Sequence, residues 1–259
     1  MLEENAQKYY ACKILYKGKW KTIDMDEYIP TIGNSPAFSK ASGQELWVIL
    51  LEKAWAKLYS SYKRIESGYG EEGIHNLTGA HMHAIRFHSK DFDKEKEWQY
   101  LMRATRHAYC MIASSQPGSD QNKAASGIVM GHAYTVVGAY ELQYNGRLVR
   151  LIKLRNPWGK GESIISWCDK DPRWNNVTTE EKKRVGFDGD PTDGVFFQAY
   201  DDFIKDFRIL NVAEVNDEAS YVYCVQHPKK RKGCYFKVSI YKEGSYSFQI
   251  NQTPDRAYQ

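Results

Sequence analysis

The stretch GHAYTVVGAYELQYNGRLVRLIKLRNPWGKGE, residues 131–162, decides how this chain reads. At its centre lies Asn145-Gly146, a pair favoured in two-residue hairpin turns because both turn positions need positive φ. Tyr134 to Tyr144 and Arg147 to Leu154 flank it as two antiparallel strands, and Pro157 stops the second. With the turn centred between residues 145 and 146, in-register pairing sets His132 opposite residue 159. Asn156 then lies about three residues away, on the order of 10 Å along the strand. A bulge at Gly138 shortens that offset, since glycine inside a strand often marks one. His132 and Asn156 are therefore expected at the same open end of one hairpin. An asparagine beside a histidine has a specific use. Its carbonyl accepts the hydrogen of one ring nitrogen, which fixes the tautomer and aims the other nitrogen at a nucleophile. Trp158 is placed to shield that hydrogen bond from water.

Upstream of the hairpin the clearest element is a helix. From Trp47, apolar residues at Leu50, Leu51, Ala54, Trp55, Leu58 and Tyr59 fall on one helical face. Ser42-Gly43-Gln44-Glu45 reads as its capping box, with Ser42 at the cap and Glu45 at the third helical position. Tyr9 to Ile29 is extended and broken by a turn at Lys17-Gly18, and Pro30 ends it. Gly68, Gly70 and Gly73 mark a loosely structured stretch, and Thr78-Gly79 a hinge into a second unit. A short helix is expected around Trp98, Leu101, Met102 and Thr105, a strand over Tyr109 to Ala113, and a polar loop over Gln116 to Ser126. Near the end, Tyr235 to Tyr241 and Ser245 to Ile250 alternate around Lys242-Glu243-Gly244 as a second hairpin. The basic run Lys229-Lys230-Arg231-Lys232 ahead of it reads first as a solvated loop.

Composition removes several classes. Among 259 residues, 36 Lys and Arg oppose 32 Asp and Glu, and a net charge of +4 is too small to imply nucleic acid. No run approaches the ~18 uninterrupted apolar residues of a membrane span, so membrane association is expected only through the basic run at 229–232. The N-terminal residues carry no basic start followed by an apolar run, so no secretory signal is expected and the cytoplasm is the expected location. Five cysteines, an odd number without a CxxC pair, suit neither a disulfide framework nor a zinc site.

Longer motifs in order carry a resemblance. GHAYTVVGAY, LIKLRNPWGKGE, Trp167-Cys168-Asp169, Arg173-Trp174-Asn175-Asn176 and DGVFFQAYDDFIKDF (193–207) together resemble the second half of a calpain-type cysteine protease core. YKGKW followed by Ile23-Asp24 and Ile29-Pro30-Thr31, then ELWVILLEKAWAKLYSSY, is similar to the part of the first calpain lobe that follows its catalytic helix. The resemblance spans roughly residues 8–213 and implies an α+β, papain-like two-lobe fold with its active site in the cleft between lobes. The implied division is a partial helical lobe over 1–79, a strand-rich lobe over 80–213, and the start of a β-sandwich over 214–259. By resemblance His132 is the general base, Asn156 its orienting partner and Trp158 the shielding indole.

In that family the nucleophilic cysteine opens a helix, where the macrodipole favours a thiolate, and it lies upstream of everything matched here. Cys12, Cys110, Cys168, Cys224 and Cys234 neither start a predicted helix nor precede tryptophan, so no nucleophile is assigned and the chain alone is expected to be inactive. The helical face of Trp47, Leu50, Leu51, Trp55 and Leu58 is accordingly expected to lack its main packing partner, leaving this lobe loose. The resemblance further implies calcium, with Glu162, Asp169 and Asp193 at liganding positions. A fourth carboxylate of the family is replaced by Val195, which should weaken the site. Glu45 also matches a ligand, although the capping role needs no metal. Two functions remain open: a calpain-like calcium-dependent cysteine endopeptidase acting on protein substrates, or a nucleophile-less pseudoprotease that binds a protein partner.

Overall fold

A computed structural model describes residues 9–41, 43–215, 237–244, 246–248 and 250, with the backbone of 2–4. The chain divides into two compact units at His81/Met82, the second running from Met82 to Val215.

The first unit is built on a meander. Strands β1 (Leu2–Glu4), β2 (Tyr10–Tyr16) and β3 (Lys19–Met25) form an antiparallel sheet in that order. The β2–β3 turn is the expected Lys17-Gly18, with φ of 50° and 70°. Two-residue strands β4 (Thr31–Ile32) and β5 (Ser35–Pro36) precede helix α1 (Trp47–Leu58). Cys12, Ile14 and Met25 of the sheet pack with Ala54 of α1, and Leu51, Trp55 and Leu58 close around them. Much of the helical face expected to lack a partner is thus laid against β2 and β3, although Trp47 stays 54% exposed. The capping box does not form as expected: Leu46 is the N-cap residue and donates no side-chain cap, and Glu45 precedes the helix. Ser42 lies outside the described residues.

The glycine-rich stretch is also more ordered than its composition suggests. After a 3₁₀ turn at Tyr62–Ile65 comes α2 (Gly70–Thr78). Gly79, at φ 70°, ends it, and its N–H donates to the His75 carbonyl at 2.7 Å. This is the left-handed helix end that glycine supports at least cost. The Tyr59 hydroxyl donates to Glu72 Oε1 at 2.8 Å, tying α2 to the end of α1.

The rest is a six-stranded sheet in the order β10-β9-β8-β7-β11-β6. In chain order its elements are β6 (His81–Arg86), α3 (Lys94–Arg106), β7 (Cys110–Ser115), β8 (Ala133–Tyr144), β9 (Arg147–Arg155), a 3₁₀ turn (Pro172–Asn176), α4 (Thr179–Val185), β10 (Val195–Ala199), α5 (Tyr200–Asp206) and β11 (Phe207–Glu214). Asp93 caps α3, its Oδ1 accepting the N–H groups of Glu95 and Lys96 at 3.0 Å each. Both sheet faces are covered, and neighbouring residues divide between them as strand alternation requires. Ile152 and Phe196 join Trp98, Leu101 and Phe203 on one side. Leu151 and Phe197 join Trp167 and Trp174 on the other. Each such buried side chain contributes roughly 1.5–3 kcal/mol. Helix α3 is keyed to the hairpin by polar contacts too: Trp98 Nε1 donates to Glu141 Oε1 at 2.8 Å, and Thr105 Oγ1 accepts the Ala139 N–H at 2.9 Å.

Among the described residues no helix is long and apolar enough to cross a membrane. Of the second expected hairpin, residues 237–244, 246–248 and 250 are described and adopt irregular backbone, without the predicted strands. Alternation alone does not make strands where no partner supplies a ladder. Cys224, Cys234 and the basic run at 229–232 lie outside the described residues.

Two glycines separate backbone strain from collision. No atom lies within 4 Å of a Cβ built on Gly146, at φ 73°, so Gly146→Ala should cost about 1–2 kcal/mol from the left-handed backbone. A Cβ on Gly131, at φ 58°, would stand 2.1 Å from the Gly118 carbonyl oxygen, so the backbone must also move. Urea unfolding followed by tryptophan fluorescence should show the larger loss for Gly131→Ala. Equal losses would contradict the close approach.

Candidate active site

The hairpin turn is the expected one, with Asn145 at φ 49° and Gly146 at φ 73°. From Tyr144↔Arg147 the register runs regularly to Gly138↔Lys153, then shifts so that Val136 faces Leu154 and Thr135 faces Arg155. The irregularity falls where Gly138 predicted it, and Val137 is the inserted residue. It draws the open ends together by one residue. Across this end His132 Nε2 lies 3.0 Å from Asn156 Oδ1.

The orientation of the carboxamide follows from its other partners. Asn156 Nδ2 donates to the carbonyls of Lys160 at 2.7 Å and Gly161 at 3.0 Å, and Oδ1 accepts the Trp158 N–H at 3.1 Å. With both donors committed to carbonyls, Oδ1 is the atom facing the imidazole. His132 must therefore carry its proton on Nε2 when neutral, which leaves the Nδ1 lone pair as its basic site. Asn156 is fully buried, and each of its polar side-chain atoms is paired.

The ring is held by aromatic neighbours. The Trp158 indole lies 4.3 Å away between centroids at 41°, and Tyr134 meets the ring edge-on at 5.1 Å. Tyr134 is itself fixed, its hydroxyl accepting the Val129 N–H at 2.9 Å. Burial lowers the His132 pKa from its ordinary value, and the Asn156 hydrogen bond and the charge of Asp120 oppose that shift without reversing it.

A second cluster stands beside the first. Glu162, Asp169 and Asp193 bring carboxylate oxygens within 4.8 Å of one another. Burial and the charges of Glu162, Asp188 and Asp193 push Asp169 up to about 7, and burial also raises Glu162. Asp169 Oδ2 is buried without a hydrogen-bond partner. Crowded carboxylates with an unsatisfied oxygen suit a hard divalent cation that takes oxygen ligands. Val195 occupies the first position of β10, opposite Arg155, and adds no carboxylate. The acidic cluster reaches the hairpin end through Gly194. The Gly194 carbonyl accepts the Asn156 N–H at 2.8 Å, and its own N–H donates to Glu162 Oε1 at 3.2 Å. A Cβ on Gly194 would lie 2.7 Å from the Lys160 nitrogen, so the two loops touch through bare backbone.

Of the cysteines, Cys12 is buried in β2, Cys110 begins β7 at the surface, and Cys168 is half-buried after Trp167. Burial raises the thiols of Cys12 and Cys168, the opposite of what a nucleophile needs. Sequence reading missed Tyr134, which meets the His132 ring, and Gly194, which joins the two clusters. Tyr134 sat in the quoted motif but read only as a strand residue. Gly194 sat in the quoted motif at 193–207, where nothing local marked its contact with Asn156.

The sequence profile described as calpain family cysteine protease matches residues 1–214. Calpain-9 of Rattus norvegicus is 32% identical over 207 residues, covering 78% of this chain and 29% of that protein. The calpain-type cysteine protease DEK1 of Arabidopsis thaliana is 32% identical over 220 residues, covering 82% of this chain and 10% of that protein. The calpain-2 catalytic subunit of Homo sapiens is 29% identical over 217 residues, covering 83% and 31%. The chain thus spans less than a third of the length of these curated relatives. With a paired histidine and asparagine on one hairpin and a family match running through both units, the chain belongs to the calpain family of cysteine proteases.

Proposed function

We propose that the chain is core machinery of a calcium-dependent cysteine endopeptidase that cleaves protein substrates, with His132 as general base and Asn156 as its orienting partner. The observation that carries this reading is the saturated Asn156 carboxamide, which leaves His132 Nδ1 as the free basic nitrogen. In the reaction Nδ1 takes the proton of a thiol as sulfur attacks the peptide carbonyl, and later returns it to the leaving amine. Asn156 Oδ1 holds the Nε2 proton throughout and stabilises the imidazolium formed between the two steps. Trp158 and Tyr134 limit the ring's swing.

Calcium fits the Glu162, Asp169 and Asp193 cluster, where a bound divalent cation supplies the positive charge that three adjacent carboxylates lack. Gly161 and Gly194, each next to one of these carboxylates, hold Asn156 by hydrogen bonds to their carbonyls. Order in the acidic loops therefore favours order in the asparagine. A second reading, a binding module without a nucleophile, is favoured by Val195, which stands where the resemblance implies a fourth carboxylate.

A fusion carrying a cysteine-bearing family segment ahead of Met1 separates the readings. Casein cleavage with calcium is expected, and His132→Ala should reduce it by about 10²–10⁴-fold, the usual contribution of general acid–base catalysis. Binding of casein without cleavage would favour the second reading. For the metal, a calcium concentration near a hundredfold the dissociation constant should raise the midpoint of thermal unfolding by about 5–10 °C. Asp193→Asn should remove most of that shift, and an unmoved midpoint at high calcium would rule the site out.

The His132 shift also predicts a pH dependence. Its folded pKa lies below its ordinary value of 6.5, so the unfolded chain binds the proton more readily. The stability linked to this group is complete above pH 6.5 and is lost as pH falls towards the folded pKa. The stability advantage of the parent chain over His132→Gln should therefore narrow between pH 7 and pH 5 in urea titrations.

A further inference from the structure

We propose that Ser115 is a positioning residue for the His132 imidazole, its hydroxyl fixing the backbone from which the ring projects. This rests on the reading of His132 as the base. Ser115 ends β7 and is 4% exposed. The β7–β8 ladder runs from Met111↔Val136 to Ser114↔Ala133, and its next rung would join Ser115 to His132. In a regular antiparallel rung the two residues exchange backbone N–H···O bonds. Half of that rung is present, with the Ser115 N–H donating to the His132 carbonyl at 3.0 Å. The other half is replaced: the His132 N–H donates to Ser115 Oγ at 3.0 Å. The same hydroxyl donates to the His132 carbonyl at 3.0 Å. One side chain thus grips both peptide groups of the histidine.

The replacement has a structural cause. After Ser115 the ladder loses its regular form, and Gln116 is shared between two segments. Its N–H donates to the Asp206 carbonyl at 3.1 Å, its Nε2 to the Lys205 carbonyl at 3.0 Å, and its own carbonyl accepts the Gly131 N–H at 2.8 Å. The hydroxyl supplies the acceptor for the histidine at the rung where that regularity ends. Asn156 controls the ring from its far end, and Ser115 controls the point of attachment. A base needs both, because an imidazole oriented on a loose backbone still misplaces Nδ1.

The test is ring spectroscopy on the full chain, which needs no proteolysis. Histidine ¹H–¹⁵N correlation spectra of the parent, Ser115→Ala, Ser115→Cys, Ser115→Thr and Ser114→Ala would be followed against pH, together with thermal unfolding. In Ser115→Ala the Nε2–H signal shared with Asn156 should broaden. The ring midpoint should rise by about half a pH unit as the ring leaves its pocket and loses burial, with Asp120 the charged group that acts on it. Ser115→Thr should restore both readouts, and Ser114→Ala should leave them unmoved. Should Ser115→Ala fail to fold, Ser115→Cys keeps the volume with a weaker hydrogen bond and is expected to show the same changes in smaller degree. A folded Ser115→Ala or Ser115→Cys chain with parent-like ring signals and a parent-like midpoint would overturn the proposal, even if stability falls. Failure of casein cleavage in the fusion would instead strike at the role of His132 and leave these spectra as they are.

Discussion

The fully buried carboxamide of Asn156 is the constraint on which the site depends. A primary amide has two donor hydrogens and one carbonyl oxygen, and leaving any of them unpaired in the interior costs about 1–3 kcal/mol. Here the donors go to the carbonyls of residues 160 and 161, and the oxygen is shared between the Trp158 N–H and the imidazole. Turning the amide over would set its NH2 group against the Trp158 N–H and its oxygen against two carbonyl oxygens. The histidine tautomer is thus settled by backbone carbonyls several residues away.

The same loops serve a second purpose. Glu162 follows the carbonyls that hold Asn156, and Asp193 precedes the glycine whose carbonyl takes the Asn156 N–H. Burial first, and then the charges of the neighbouring carboxylates, push Asp169 up to about 7, so gathering these groups is unfavourable by itself. The aromatic packing beneath supports the arrangement. Trp174 stacks on Phe187 at 3.9 Å and meets Trp167 edge-on at 5.2 Å. Trp167 takes a positive φ of 69°, and its N–H donates to Asp171 Oδ2 at 2.6 Å. An apolar floor and a capping aspartate hold the acidic loop against its own repulsion.

Much of the fold could be read locally. Asn145-Gly146 set the hairpin register, Gly138 marked its irregularity, and the apolar period from Trp47 to Tyr59 located the body and end of α1, while the capping box set its start four residues early. The errors share a cause. The glycine-rich stretch forms α2 because Glu72 is tied to Tyr59 and Gly79 closes the helix end, neither of which composition reveals. The capping box at residue 42 and the second hairpin were local patterns that nothing tertiary in the described residues reinforced.

By itself the amino-acid order determined which residues share the open end of the hairpin, because turn chemistry and a period of two leave little freedom over so short a distance. His132 and Asn156 were therefore legible together, and Trp158 with them. Only the tertiary structure decided what holds them. Ser115 comes from a neighbouring strand, Gly194 from the loop before β10, and the carboxylates at 162, 169 and 193 from separate turns. Those meetings depend on how long loops settle on a shared aromatic core, and no spacing along the chain encodes that distance.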